Sequence, residues 1–302
     1  MAIIEVGNLV KRYGDNTAVD GVSFTVEQGE IFGILGPNGA GKTTTVECIE
    51  GLRSPDSGTI RVCGLDPRRD EDELRGLLGA QLQESQLPEK LRVGEAMELY
   101  ASFYEDPADW RALLDSLHLT DKVGTQYRRL SGGQKQRLSI ALALIGNPRV
   151  AVLDELTTGL DPQARRDAWD LIEDIRARGV TILLVTHFME EAERLCDRLA
   201  VIDAGKVVAV DSPAGLVSSV DDRQRVRFRP SAPIDHAVLM ALPEVTAVER
   251  AGSQLVVTGT GDLLLAVTTE LARNQVVAAD LRLEQTSLDD AFVALTGRPI
   301  DN

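Results

Sequence analysis

The chain has 302 residues, long enough for two domains that each bury a substantial core. Hydrophobic residues make up 43% and charged residues 26%, a balance that excludes a largely disordered chain. Asp and Glu number 47 against 32 Lys and Arg, a net charge of −15, so wrapping of duplex DNA would begin in repulsion and no nucleic-acid partner is expected.

The opening residues MAIIEVGNLVKRYG alternate apolar and polar side chains and lack the apolar centre of a secretory leader. No apolar run approaches the ~18–20 residues that cross a bilayer, so any spanning is expected to fall to another polypeptide. A buried strand is predicted over 31–35, then a helix over 42–50. The segment 66–127 is rich in charge, with helical patterning at 93–104 and 108–117 and no convincing strand. Helix 133–144, strand 150–153, helix 163–178, strand 181–185, helix 189–197 and strand 199–202 follow, an α/β alternation around a mostly parallel sheet. Residues 210–222, with Pro213, Gly215 and paired serines, mark a boundary. Beyond it a βαββαβ order predicts a small α+β domain of ferredoxin-like type. There Arg223, Arg225, Arg227 and Arg229 share one strand face, read as solvated or edge-protecting. Cys48, Cys63 and Cys196 show no CxxC spacing and are expected to be buried thiols of a reducing compartment.

Directly after strand 31–35 stands GPNGAGKTT: Gly36, Pro37, Asn38, Gly39, Ala40, Gly41, Lys42, Thr43, Thr44. The glycines let backbone N–H groups turn inward around a polyphosphate, and the following helix adds its positive end. Lys42 supplies a cation for the β and γ phosphates, and the Thr43 hydroxyl a ligand for Mg²⁺. Asp154 and Glu155 emerge from strand 150–153, where α/β sheets place their ligand chemistry. Asp154 suits water-mediated Mg²⁺ binding, and Glu155 the orientation or deprotonation of an attacking water. LSGGQ places Ser131, Gly132, Gly133 and Gln134 at a second helix N-terminus, readable as a cap or as a further anion grip.

Over about residues 1–215 the chain resembles the ATP-binding cassette (ABC) family, whose signature motif is LSGGQ. The resemblance implies a P-loop NTPase cassette with a helical insertion at about 84–145, followed by an accessory domain at 222–302. It implies ATP hydrolysis with Mg²⁺ in a head-to-tail homodimer, each ATP lying between one chain's Lys42 loop and the other chain's Ser131–Gln134. Individual residues follow. Tyr13 matches the aromatic that stacks on adenine, Gln83 the glutamine that touches Mg²⁺ and senses the γ-phosphate, Asp161 the aspartate that communicates across the dimer, and His187 the switch histidine. Leu156 departs from the family, which usually has Pro after the catalytic glutamate.

Lys42 and Ser131 stand 89 positions apart without a sustained heptad, which argues against coiled-coil chromosome-maintenance members. The tail, from THFMEEAERLCDRLAVIDAGKVVAVDSP to TSLDDAFVALTGR, resembles the daunorubicin-resistance type of drug, antibiotic and polysaccharide exporter subunit. That resemblance implies a separate integral membrane permease, coupling through the loop 84–91, and a cytoplasmic location on the inner face of the cell membrane. The alternative is a soluble ATPase of the same family acting in DNA repair or translation without a permease.

Overall fold

The computed structural model describes residues 1–81, 87–220 and 223–298. By contact it divides into a first unit containing Met1–Pro213 and a second, Ala214–Gly297.

The first unit opens with β1 (Ala2–Tyr13), β2 (Asn16–Glu27) and β3 (Ile31–Leu35), then α1 (Lys42–Ile49) and β4 (Ser57–Val62). Next come α2 (Glu71–Arg75), β5 (Leu78–Gln81), α3 (Val93–Ala101), α4 (Trp110–Ser116) and α5 (Gly132–Leu144). It closes with β6 (Val150–Asp154), α6 (Pro162–Ala177), β7 (Thr181–Thr186), α7 (Met189–Leu195), β8 (Arg198–Asp203) and β9 (Lys206–Asp211). Six strands form one sheet in the order β5-β6-β7-β3-β8-β9, parallel except for β9 against β8. Every residue of β3, β6 and β7 is buried, as expected of continuous Val/Ile/Leu runs covered on both faces. A second, antiparallel sheet, β2-β1-β4, buries Ile4, Val6 and Leu9 against the same core. Its strands explain the apolar–polar alternation at the start of the chain.

The segment 66–127 contains a strand after all. β5 pairs in parallel with β6 at the edge of the main sheet. Its sequence, LGAQ, is four residues long and carries Gly and Ala, both poor strand formers, so no local signal announces it. Gly79 has a packing reason to lack a side chain, since a Cβ there would lie 1.9 Å from the Ala143 carbonyl oxygen.

α8 (Pro213–Val220) straddles the division. The second unit continues with β10 (Gln224–Pro230), α9 (His236–Met240), β11 (Val245–Ala251), β12 (Gln254–Gly259), α10 (Leu263–Arg273), β13 (Ala278–Gln285) and α11 (Leu288–Thr296). Its sheet order is β11-β12-β10-β13 with every pair antiparallel, which is the ferredoxin-like arrangement. Val226, Phe228, Val257, Leu263 and Val267 form its core. The arginine strand is not an edge: β10 lies between β12 and β13, and Arg227 and Arg229 pair with Glu284 and Asp280 across the sheet. Cross-strand charge pairing, rather than edge protection, accounts for that face.

The three cysteines are free, with Cys48 and Cys196 buried. Among the described residues no helix is long and apolar enough to cross a membrane.

Candidate functional site

The order of three neighbouring strands builds the site. β6, β7 and β3 lie side by side, and their register pairs Asp154 with Val185 and Leu35 with Thr186. The strands therefore end together, and the segments that follow them, 36–41, Asp154–Glu155 and His187, share one edge of the sheet.

In the loop, Gly36, Pro37 and Ala40 are buried while Asn38 and Gly39 face outward. Gly36 leaves no room for a side chain, because a Cβ would sit 2.2 Å from the Ile202 carbonyl oxygen. Gly41 caps α1 in the left-handed region, φ 98°, where only glycine is comfortable. Lys42 is 6% exposed, and its Nζ donates to the carbonyls of Gly36 at 2.7 Å and Pro37 at 3.1 Å. Burial pulls its ammonium below the usual lysine range, while the charges of Glu155 and Asp154 act in the opposite direction. Thr43 is exposed in the first turn of α1, and Thr44 is half-buried behind it.

Asp154 ends β6 nearly buried, and its carboxyl is pushed up to about 6, first by burial and then by Glu155, with Lys42 opposing. Glu155 adopts a left-handed backbone, φ 48°, and its N–H donates to Val185 at 2.9 Å. Strain of this kind in a non-glycine residue persists only where the surroundings over-determine it. The turn directs the Glu155 carboxylate to 3.4 Å from His187 Nδ1. Leu156, in the place of the family's proline, is fully buried. A carboxyl that the sequence did not single out is Glu191 of α7, fully buried and raised by desolvation, within reach of Thr157, Thr186 and Trp169. A Glu on a helix carries no local mark of burial.

The other candidate positions lie elsewhere. Tyr13, at the end of β1, is 41% exposed with the cations of Lys11 and Arg53 over its ring. Ser131 is the N-cap of α5: its hydroxyl accepts from Gln134 N–H, and its own N–H donates to the Gln134 side chain. Gly132 and Gly133 follow in the first turn, and a methyl on Gly133 would lie 3.6 Å from Ala164 of α6. Asp161 caps α6, accepting from Gln163 and Ala164 at 3.0 Å each. Gln83 falls outside the described residues. The structure therefore brings together Gly36–Thr44, Asp154, Glu155 and His187; among the described residues no hydrogen bond or ion pair joins Ser131–Gln134 to that group.

A glycine-lined cradle at a helix N-terminus, an acid pair on the next strand but one and a histidine between them have the chemistry to hold a nucleoside triphosphate. The model of the family described as ABC transporter matches residues 19–158. Nod factor export ATP-binding protein I of Ralstonia nicotianae is 39% identical over 98% of this chain and 94% of its own length. The chain belongs to the ABC transporter family. The protein of the same description from Paraburkholderia xenovorans is 46% identical over 72% of this chain and 73% of its own. A solved ATP-binding subunit of an ABC transporter superposes with a TM-score of 0.66, at 29% identity, over 72% of this chain and 92% of that one.

The ABC chain is thus an ATPase subunit whose ligand is ATP with Mg²⁺. Its donor set fits that metal. Among the described residues no group of three or more His, Cys, Asp or Glu could hold an ion alone. Mg²⁺ instead keeps several waters and takes one or two protein oxygens beside the phosphates, which the Thr43 hydroxyl and Asp154 can provide.

Proposed function

We propose that the chain is the ATP-hydrolysing subunit of an exporter, closing head-to-tail on a second copy of itself to drive a separate integral membrane permease. In that reading residues 1–215 are the motor and 222–302 an accessory domain. The observation that carries it is the separation of two anion grips in one chain. The Gly36–Thr44 cradle holds the β and γ phosphates with Lys42, whereas the Ser131 turn, with Gly132, Gly133 and Gln134, has its serine exposed and among the described residues makes no hydrogen bond or ion pair to that cradle. A twin chain supplies the missing half.

Within the site Tyr13 stacks on the base, and Thr43 and Asp154, with Gln83, would hold Mg²⁺. The ion supplies neutralisation of phosphate charge when bound. Glu155 orients or deprotonates the attacking water, His187 contacts the γ-phosphate, and Asp161 relays the state of one site to the other. Burial of Lys42 keeps its cation poorly solvated and so strongly attracted to a polyphosphate.

The permease's place is a groove of about 1040 Å³ between α1, α2 and the end of α3, with Glu50, Leu78 and Tyr104 in its walls. Leu52 and Phe103, 64% and 68% exposed, stand on its rim, large apolar side chains suited to a partner. The loop 84–91, of which residues 84–86 lie outside the described residues, would give γ-phosphate sensing a route to the membrane partner. The relatives described as export proteins support export as the direction, and with it the reading of a subunit peripheral on the cytoplasmic face of the membrane.

Mixing two inactive variants tests the composite site. Lys42→Ala destroys a cradle and Ser131→Arg a signature turn, so each alone has no complete site, but a mixed dimer has one. ATPase activity is expected to return on mixing. A mixture as inactive as its parts, with both variants folded, overturns the two-chain site.

A further inference from the structure

The ring of Tyr13 is not free to find its own orientation. Arg53 Cζ lies 5.2 Å from the ring centroid, and Lys11 Nζ lies 5.7 Å from it. Both cations are tied down. Arg53 Nε meets Glu47 Oε2 at 2.5 Å, and its backbone N–H donates to the Glu47 carbonyl at 3.0 Å. Lys11 Nζ donates to the Ser54 carbonyl at 2.8 Å and approaches Asp56 Oδ1 at 3.4 Å. Asp56 in turn accepts from the Arg12 N–H at 2.6 Å, and its own N–H donates to the Val10 carbonyl at 2.8 Å. The loop 53–56 is thus clamped to β1 on one side and to α1 on the other.

Glu47 belongs to α1, the helix whose first residues are Lys42 and Thr43. A rigid helix of five residues' length therefore separates the phosphate-binding end from the carboxylate that holds Arg53. The chain Lys42, Glu47, Arg53, Tyr13 is continuous through the backbone of α1, the Glu47–Arg53 hydrogen bond and the Arg53–Tyr13 cation–π contact. It fixes how far the ring stands from the cradle. An aromatic face fixed at a set distance from a polyphosphate grip selects a ligand that carries a base at that distance.

We infer that Arg53, held by Glu47, is a positioning residue for the nucleobase: it sets the Tyr13 ring through a cation–π contact so that the base stacks where the phosphates are already gripped. The inference rests on the reading of Tyr13 as the base-stacking residue and extends it to two side chains outside the family's motifs. Arg53 acts through Tyr13 and touches no phosphate. A guanidinium suits this position because it can pair with a carboxylate at its edge while its plane covers a ring. With its side chain 37% exposed, the contact is expected to count for a few-fold in affinity, not orders of magnitude.

The test compares two ligands of the full-length chain, Mg·ATP and Mg·tripolyphosphate, by calorimetry or equilibrium dialysis. The second has the phosphates and no base. Arg53→Ala is expected to weaken ATP about two- to five-fold and leave tripolyphosphate unchanged. Arg53→Lys, which keeps the cation, should recover part of the loss. In a Tyr13→Ala background Arg53→Ala should cost nothing further. Equal weakening of both ligands, tighter ATP binding in Arg53→Ala, or an additional loss in the Tyr13→Ala background overturns the proposal. The two readings separate cleanly. Tyr13→Ala without effect on the ATP-to-tripolyphosphate ratio removes the stacking role itself, whereas a lowered ratio in Tyr13→Ala beside an inert Arg53→Ala removes only the role of Arg53.

Discussion

His187 Nδ1 lies 3.4 Å from Glu155 Oε1, yet among the described residues this buried nitrogen has no hydrogen-bond partner. The two residues sit just past the ends of neighbouring parallel strands, with 16% and 20% of their side chains exposed. Close approach without a formed hydrogen bond leaves both side chains able to turn to a substrate. In apo sites catalytic hydrogen bonds are commonly long and tighten only with ligand present.

Glu155→Gln keeps the shape of that side chain and removes its basicity. ATP binding should persist, because the cradle and Lys42 are untouched, while turnover falls at least ~10²-fold, the usual scale of a positioned general base. The unhydrolysed nucleotide should then hold two chains together on gel filtration in the presence of Mg·ATP. A variant that turns over at the parent rate removes Glu155 from the chemistry.

His187→Ala should also lower turnover, and the double variant His187→Ala with Glu155→Gln should be scarcely worse than the slower single one. Residues that serve one transition state as a unit are strongly non-additive. Steady-state ATPase rates of the three variants decide this, and effects that multiply would show the two groups to act separately.

Two glycines of the cradle make a contrasting pair. A Cβ on Gly36 would meet the Ile202 carbonyl oxygen at 2.2 Å, a backbone atom of β8 that cannot move alone. At Gly39, φ 77°, nothing lies within 4 Å of the added carbon, and the cost is confined to a left-handed alanine. Gly36→Ala is therefore expected to lose ~1–3 kcal/mol or more in stability and most ATP affinity, and Gly39→Ala about 1 kcal/mol with binding largely kept. Thermal melts and ATP titrations on both variants check the order, which a Gly39→Ala defect as severe as that of Gly36→Ala would reverse.

Much of the motor was legible because its chemistry needs rare residue combinations beside simple apolar runs. IFGIL, VAVLD and TILLVT are buried throughout, and each delivers a polar motif to the same sheet edge. LGAQ escaped notice because its strand state comes from pairing with β6, not from its own residues. Arg53 and Glu47 were equally silent. Charged residues six apart are common on any surface, and their relation to Tyr13, forty positions upstream, arises only when β1 and the 53–56 loop are clamped together. Glu191 was hidden for the converse reason, a charged type in a buried place.

Asp154 links the site to pH. Its carboxyl is held up to about 6, chiefly by burial, against about 4 for an unfolded aspartate. The folded chain thus binds this proton more tightly than the unfolded chain. Asp154 contributes stability below pH ~4 that is lost as pH rises through about 6, so at pH 7.5 the nucleotide-free protein carries an ionised carboxylate at a cost to folding. Asp154→Asn relieves that cost. Its Tm should exceed the parent's at pH 7.5, and the gain should vanish near pH 4, where both side chains are neutral. The same substitution should abolish Mg²⁺-dependent ATPase activity, trading catalysis for stability as buried functional charges commonly do. For the parent, Mg·ATP affinity should weaken as pH falls through about 6, because the metal must displace the proton. Melts at the two pH values without nucleotide settle the sign, and an Asn variant less stable than the parent at pH 7.5 would show that Lys42 and the surrounding dipoles already outweigh the burial of this charge.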